Sequence, residues 1–293
     1  MPPHNPAVDW RAVALFFTLA MAGALALAAA WWAVGPGVGQ LLVGIAYMWT
    51  PGLAAIWMAR RARRPVRELT GLRLGAPLWL LASLLAPVGF YALLLGWGAA
   101  LPGVDWAPDS GAVLARIAPL LPPDGLAAAQ AQLEALPVPL FWVALAGVAP
   151  GALLNAPAAL GEELGWRGWL HEALLPLGPL RASLLTGALW GLWHAPLILQ
   201  GYNFPDAPVA GAAVMVAGCM ALSPVMTALR LRSGSVLSAV LFHGAINAGG
   251  QVPLSALEGP GLVVHPLGLV GILAALTMAA PAVWSWRRGA GSR

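Results

Sequence analysis

The chain has no lysine, one cysteine and few charges of either sign: Asp, Glu, Lys and Arg make up 9% of its 293 residues. Each shortage excludes something. A lone cysteine, Cys219 in an apolar segment, cannot close an intrachain disulfide and leaves no cysteine-based metal centre. With 60% hydrophobic residues and a mean hydropathy of +0.78, the chain lacks the polar surface a soluble globule needs, and no stretch is left over for a soluble domain. Internal repeats, strand-rich segments and a glycine-rich phosphate loop after a strand are all missing, which sets aside repeat architectures and phosphate-loop nucleotide binding. All 15 cations are arginine, which together with the abundance of Ala, Gly and Pro reflects a GC-rich coding sequence rather than a mechanism. The net charge of +4 does not point to nucleic acid, because a membrane protein collects cations in its cytoplasmic loops.

What the chain has in quantity is apolar runs long enough to cross about 30 Å of hydrocarbon at about 1.5 Å per helical residue. They predict an all-α, polytopic membrane protein with about eight spans: 11 to 33, 38 to 59, 77 to 99, 139 to 172, 182 to 200, 209 to 229, 236 to 256 and 262 to 286. The first run is read as a transmembrane helix rather than a cleaved signal, and residues 1–293 as a single membrane domain with a motif-bearing core at about 139–257. With both termini cytoplasmic, Arg11, the cluster from Arg60 to Arg73, and Arg167, Arg181, Arg230, Arg232, Arg287, Arg288 and Arg293 all lie on or near the inner face. Only Arg116 falls outside, among Asp105, Asp109, Asp124, Glu134, Asp206 and Glu258. This partition implies an inner-membrane protein bathed in lipid. The Arg60 to Arg73 loop reads as an orientation signal, and Pro123-Asp124-Gly125 as the start of an interfacial amphipathic helix. Trp31 and Trp32 sit near a span end, as belt anchors do.

Against this apolar background, Glu162, Glu163 and Arg167 stand together in one predicted span. A single charge at the centre of a membrane helix costs roughly 2.5 to 3.5 kcal/mol, so the trio needs mutual compensation or a task. Glu163 and Arg167 are spaced i, i+4, where a carboxylate and a guanidinium meet on one helix face. Glu162 points about 100° away from Glu163 and is left to face inward as a general base. Two later segments carry partners: His194, which can orient a water with Glu162, and His243 with Asn247, one turn apart, which can donate to an oxyanion. Helical rise brings Glu162, His194 and His243 to similar depths, near or below the midplane on the cytoplasmic side. Glu162, His194 and His243 also form a legitimate three-ligand Zn set with an open fourth position. No organic cofactor is called for.

The ordered trio Glu-Glu-x-x-x-Arg, aromatic-x-x-x-His and His-x-x-x-Asn, each in its own hydrophobic segment, resembles the CPBP family of intramembrane proteases. This family includes the CAAX-processing type II endopeptidases and the bacteriocin-immunity ABI proteins. The likeness runs from about 140 to 250. It departs at the second motif, which usually opens with Phe and here has Trp190, a conservative aromatic change. The resemblance implies an endopeptidase that cuts a membrane-associated peptide near the cytoplasmic face, with the roles given above. Rival readings are a non-proteolytic scaffold or immunity protein that retains the motifs, a transporter using the carboxylates as a relay, and a polar network that only fixes helix packing. His4 and His265 read as bystanders, His171 as solvated, and Asn155 and Asn203 as caps or cavity lining. Trp166, Trp169, Trp190 and Trp193 read as core packing, with a groove wall as the alternative.

Overall fold

The computed structural model describes residues 7–35, 37–108, 111, 113–114, 118, 121 and 125–291. His4, Asp109, Arg116, Pro123, Asp124 and Arg293 lie outside them. The protein is a polytopic all-α membrane protein. Among the described residues six segments are long and apolar enough to cross a membrane: Trp10–Val34, Val38–Arg61, Pro77–Ala100, Leu140–Leu177, Pro208–Ser233 and Gly261–Arg288. The other two expected spans are weaker for identifiable reasons. Pro179–Ile198 is diluted by Ser183, Thr186 and His194, and the helix expected over 236–256 stops at Ala248, giving about 20 Å of rise.

Helix α1 (Trp10–Val34) starts at Asp9, whose side chain accepts from the Ala12 amide at 3.0 Å. Its buried residues Val13, Phe16, Ala20, Ala24 and Ala28 form one stripe, mostly alanine, and small residues of this kind let neighbouring helices approach without an aqueous hydrophobic drive. Helices α2 (Val38–Met48) and α3 (Thr50–Arg61) form one broken span, followed by the short α4 (Val66–Thr70) and the long α5 (Pro77–Ala100). Strand β1 (Asp105–Trp106) precedes helix α6 (Gly125–Glu134), none of whose residues is buried. A helix is therefore present where the sequence predicts one, while its expected start at 123–124 lies outside the described residues.

The motif-bearing part begins with α7 (Leu140–Glu163), which passes into a π-helical segment (Leu164–Leu170) and then α8 (His171–Leu174). Helices α9 (Pro179–Ile198), α10 (Pro208–Ser233) and α11 (Val236–Ala248) follow. The short α12 (Gln251–Leu254), β2 (Leu257–Glu258) and α13 (Gly261–Val264) lead to the last helix, α14 (Leu269–Gly291). The most extensive packing interfaces join α9 with α10 and α7 with α11, and α10 links the two pairs by packing on α11.

The spans alternate direction and so define two ends. At one, the Ala76 amide donates to the Ser233 carbonyl at 3.0 Å and the Val236 amide to the Gly71 carbonyl at 3.1 Å, clasping the arginine-rich loop to the α10–α11 turn. Arg73 adds a bond from Nε to the Gly234 carbonyl at 2.7 Å. At the other end β1 and β2 pair antiparallel, Trp106 opposite Leu257. Both strands have only two residues.

Candidate functional site

Glycines seat the carboxylates. A Cβ on Gly161 would stand 2.8 Å from the Met48 carbonyl, and one on Gly165 would stand 2.4 Å from the Pro51 Cβ, so α7 and its π extension run in backbone contact with the α2–α3 break. A Cβ on Gly244 would likewise meet the Ala152 carbonyl at 2.7 Å, which sets α11 against α7. The wider π turn then buries every residue from Gly161 to His171, a departure from α periodicity of the kind that recurs at functional sites.

Glu163 lies at the centre. One of its oxygens, Oε1, accepts from Arg167 Nη1 at 3.1 Å and from His243 Nδ1 at 2.8 Å. The i, i+4 pair expected from spacing is thus formed, with both side chains fully buried. Arg167 also donates from Nη2 to Ser223 Oγ at 2.9 Å and lies 4.2 Å from the centroid of the Trp190 ring. A buried guanidinium is tolerable here because a carboxylate, a hydroxyl and an aromatic face surround it. Ser223 could not be singled out in sequence, because hydroxyls are common in membrane helices.

Glu162 is 2% exposed and accepts from the Trp190 indole Nε1 at 2.7 Å through Oε2. Its Oε1 is 4.0 Å from His243 Nε2. Trp190 is therefore more than a conservative replacement for Phe, since the indole supplies an N–H that a phenyl ring lacks. His243 is not simply paired with Asn247 as an oxyanion donor. Its Nδ1–H is committed to Glu163, so Nε2 presents a lone pair when the ring is neutral and a donor only when the ring is charged.

His194 donates from Nδ1 to the Trp190 carbonyl at 2.9 Å, which leaves Nε2 with its lone pair. Among the described residues no hydrogen bond or ion pair joins His194 to Glu162, and the Asn247 amide makes no side-chain bond. What these residues share is a cavity of about 640 Å³ lined by Glu162, Trp190, Trp193, His194, His243 and Asn247. Asn155 and Asn203 line it, as does His265, which is not a bystander by position. Trp31 is also part of the wall, where it meets Tyr202 edge-on at 5.6 Å between centroids, so it is more than an interface anchor. Trp166 and Trp169 are core, the first edge-on to Phe16 and the second stacked on it. His171 is wholly buried, not solvated, and neither ring nitrogen finds a hydrogen-bond partner among the described residues.

Among the described residues no three of His, Cys, Asp and Glu are grouped as a ready-made metal site. The cavity lining takes no residue from the arginine-rich loop 60–76. Part of its wall comes from the other end of the bundle, from residues 202–203, 250–251, 254 and 265–267.

The motif-bearing segment is also the part of the chain that resembles known proteins. Residues 137–249 match the family model described as type II CAAX prenyl endopeptidase Rce1-like. A segment of 104 residues, 33% of this chain, is 32% identical to the CAAX prenyl protease 2 of Methanococcus maripaludis. The aligned part spans 38% of that relative's length. Over residues 137–249, where the three motifs and the buried carboxylates lie, the chain is similar to the Rce1-like type II CAAX prenyl endopeptidases.

Proposed function

We propose that the protein is an intramembrane endopeptidase that hydrolyses a peptide bond of a membrane-associated substrate with a water activated by Glu162 and oriented by His194. The observation that carries the reading is a pair of acceptors on one cavity that are free among the described residues: Glu162 Oε1, whose nearest recorded partner there is His243 Nε2 at 4.0 Å, and His194 Nε2, whose sister nitrogen is tied to the Trp190 carbonyl. A water between them is polarised for attack. It adds to the scissile carbonyl carbon while its proton passes to Glu162, and the C–N bond then breaks as Glu162 returns that proton to the leaving amine. Asn247, and His243 in its charged form, stabilise the oxyanion. Glu163 and Arg167 hold His243 and the Trp190 ring in place and are positioning residues.

The test is product formation, followed by mass spectrometry, from parent, Glu162→Gln and His194→Ala in liposomes with membrane-anchored peptides. Glu162→Gln keeps the side-chain volume but cannot take the proton, so turnover should fall by roughly 10² to 10⁴. Full activity in Glu162→Gln would remove this carboxylate from the mechanism. A chelator and added Zn complete the experiment: cleavage that only Zn restores would replace the metal-free steps with a ligand role for Glu162, His194 and His243. No cleavage of any peptide by the parent, with a cellular phenotype intact in Glu162→Gln, would instead favour a scaffold.

A further inference from the structure

We infer that the site is reached from the extracytoplasmic face and from the lipid beside it, and that its substrate is the extracytoplasmic juxtamembrane segment of a membrane-anchored peptide. What is cut rests on the peptidase reading above, but the route of access does not. Three observations converge on it.

The first is the floor. Between the cavity and the arginine-rich end, Trp166, Arg167, Leu170, His171 and Leu174 are all 0% exposed. Below them, Arg230 donates from Nε to the Arg167 carbonyl at 3.3 Å and pairs through Nη2 with Glu172 at 2.8 Å. Helix α4 closes the layer from the side, since a Cβ on Gly168 would stand 2.9 Å from the Thr70 Cβ. No residue of 60–76, 164–178 or 230–236 lines the cavity. A peptide in the compartment next to the arginines meets a packed layer that is joined by charge pairs.

The second is the distribution of charge. Every described arginine lies in the floor or at the floor end, while Asp105, Glu134, Asp206 and Glu258 occupy the loops around the opening. The positive-inside rule makes the floor end cytoplasmic, so the opening faces outward. The third is the rim between α2 and α7. Leu41, Ile45 and Leu154 line the cavity, yet they are 62%, 40% and 85% exposed, which places them against hydrocarbon. A wall of this kind admits an apolar anchor from the side while Tyr202 and Asn203 border the aqueous opening. A CAAX peptide displayed in the cytoplasm would face the sealed floor.

Cysteine accessibility tests the route without requiring activity. Ala158→Cys and Gln251→Cys place thiols at two levels of the cavity, and Arg64→Cys marks the arginine-rich loop. The parent, whose Cys219 is fully buried, is the blank. A membrane-impermeant cationic thiosulfonate is applied to intact cells stripped of their walls and to inside-out vesicles. The expected result is that the two cavity thiols react in cells and are protected in inside-out vesicles, and that Arg64→Cys does the reverse. Reaction of cavity and loop thiols from the same side overturns the inference, and so does failure of both cavity thiols to react from either side. Proteoliposomes holding anchored peptides with the cleavable segment on one or the other face then test the substrate. Cleavage confined to the arginine-side segment overturns the substrate assignment. Absence of all cleavage with the labelling pattern intact removes the peptidase reading and leaves the route standing.

Discussion

Removal of the Arg167 guanidinium should damage the fold before it damages the chemistry. In the parent it is bonded to Glu163 at 3.1 Å and to Ser223 at 2.9 Å, and it lies 4.2 Å from the Trp190 ring centroid. Arg167→Ala leaves Glu163 buried with His243 as its one remaining donor, and opens a void under Trp190. Breaking one side of a buried pair costs roughly 3 to 5 kcal/mol. For a chain of this length each kcal/mol corresponds to roughly 2 °C of melting temperature, so the variant should melt about 6 to 10 °C below the parent in detergent. A double-mutant cycle isolates the cause. Glu163→Gln keeps an oxygen for His243 but removes the charge, so Arg167→Ala in that background should cost less, with a coupling of roughly 0.5 to 3 kcal/mol. The assay is thermal unfolding of the four proteins beside the yield of monodisperse material. If Arg167→Ala melts with the parent and yet cleaves nothing, Arg167 touches substrate and its positioning role is wrong.

Other perturbations follow from single contacts. Trp190→Phe keeps a ring over Arg167 but withdraws the N–H from Glu162; hydrogen bonds to charged groups are worth about 1.5 to 3 kcal/mol, so stability and cleavage should both fall, and a variant equal to the parent in both would show that the indole bond is idle. Gly161→Ala drives a Cβ to 2.8 Å from the Met48 carbonyl and should destabilise by roughly 1 to 3 kcal/mol, whereas Gly147→Ala on the same helix meets nothing within 4 Å and should be neutral or stabilising. Equal melting temperatures for the two alanine variants would contradict the close helix contact. A topology reporter fused after Arg64 should read cytoplasmic and one inserted after Ala135 external; the reverse pattern would invert the assignment of faces.

Much of this molecule is written in local pattern. Hydrophobic run length determined the class of protein and located six of the eight expected spans among the described residues, because a membrane demands that each segment satisfy its own backbone. The spacing of Glu163 and Arg167 determined their pairing, because the two share one helix face. The ordered motifs carried the resemblance on the same segment that the family model matches. Contacts between segments were another matter. Trp190 reaches Glu162 across 28 positions and His243 reaches Glu163 across 80. Both depend on how α9 and α11 are seated: the Gly244 contact with the Ala152 carbonyl sets α11 against α7, and close backbone contacts at Gly187 and Gly191 set α9 against α10. The π turn after Glu163 has no sequence signature, yet it buries His171, which an α-helical reading left in solvent. The direction in which the cavity opens was the least legible feature. It follows from which helix ends splay and which are clasped, and the Arg230–Glu172 pair and the arginine-rich loop clasp the end where the charges lie.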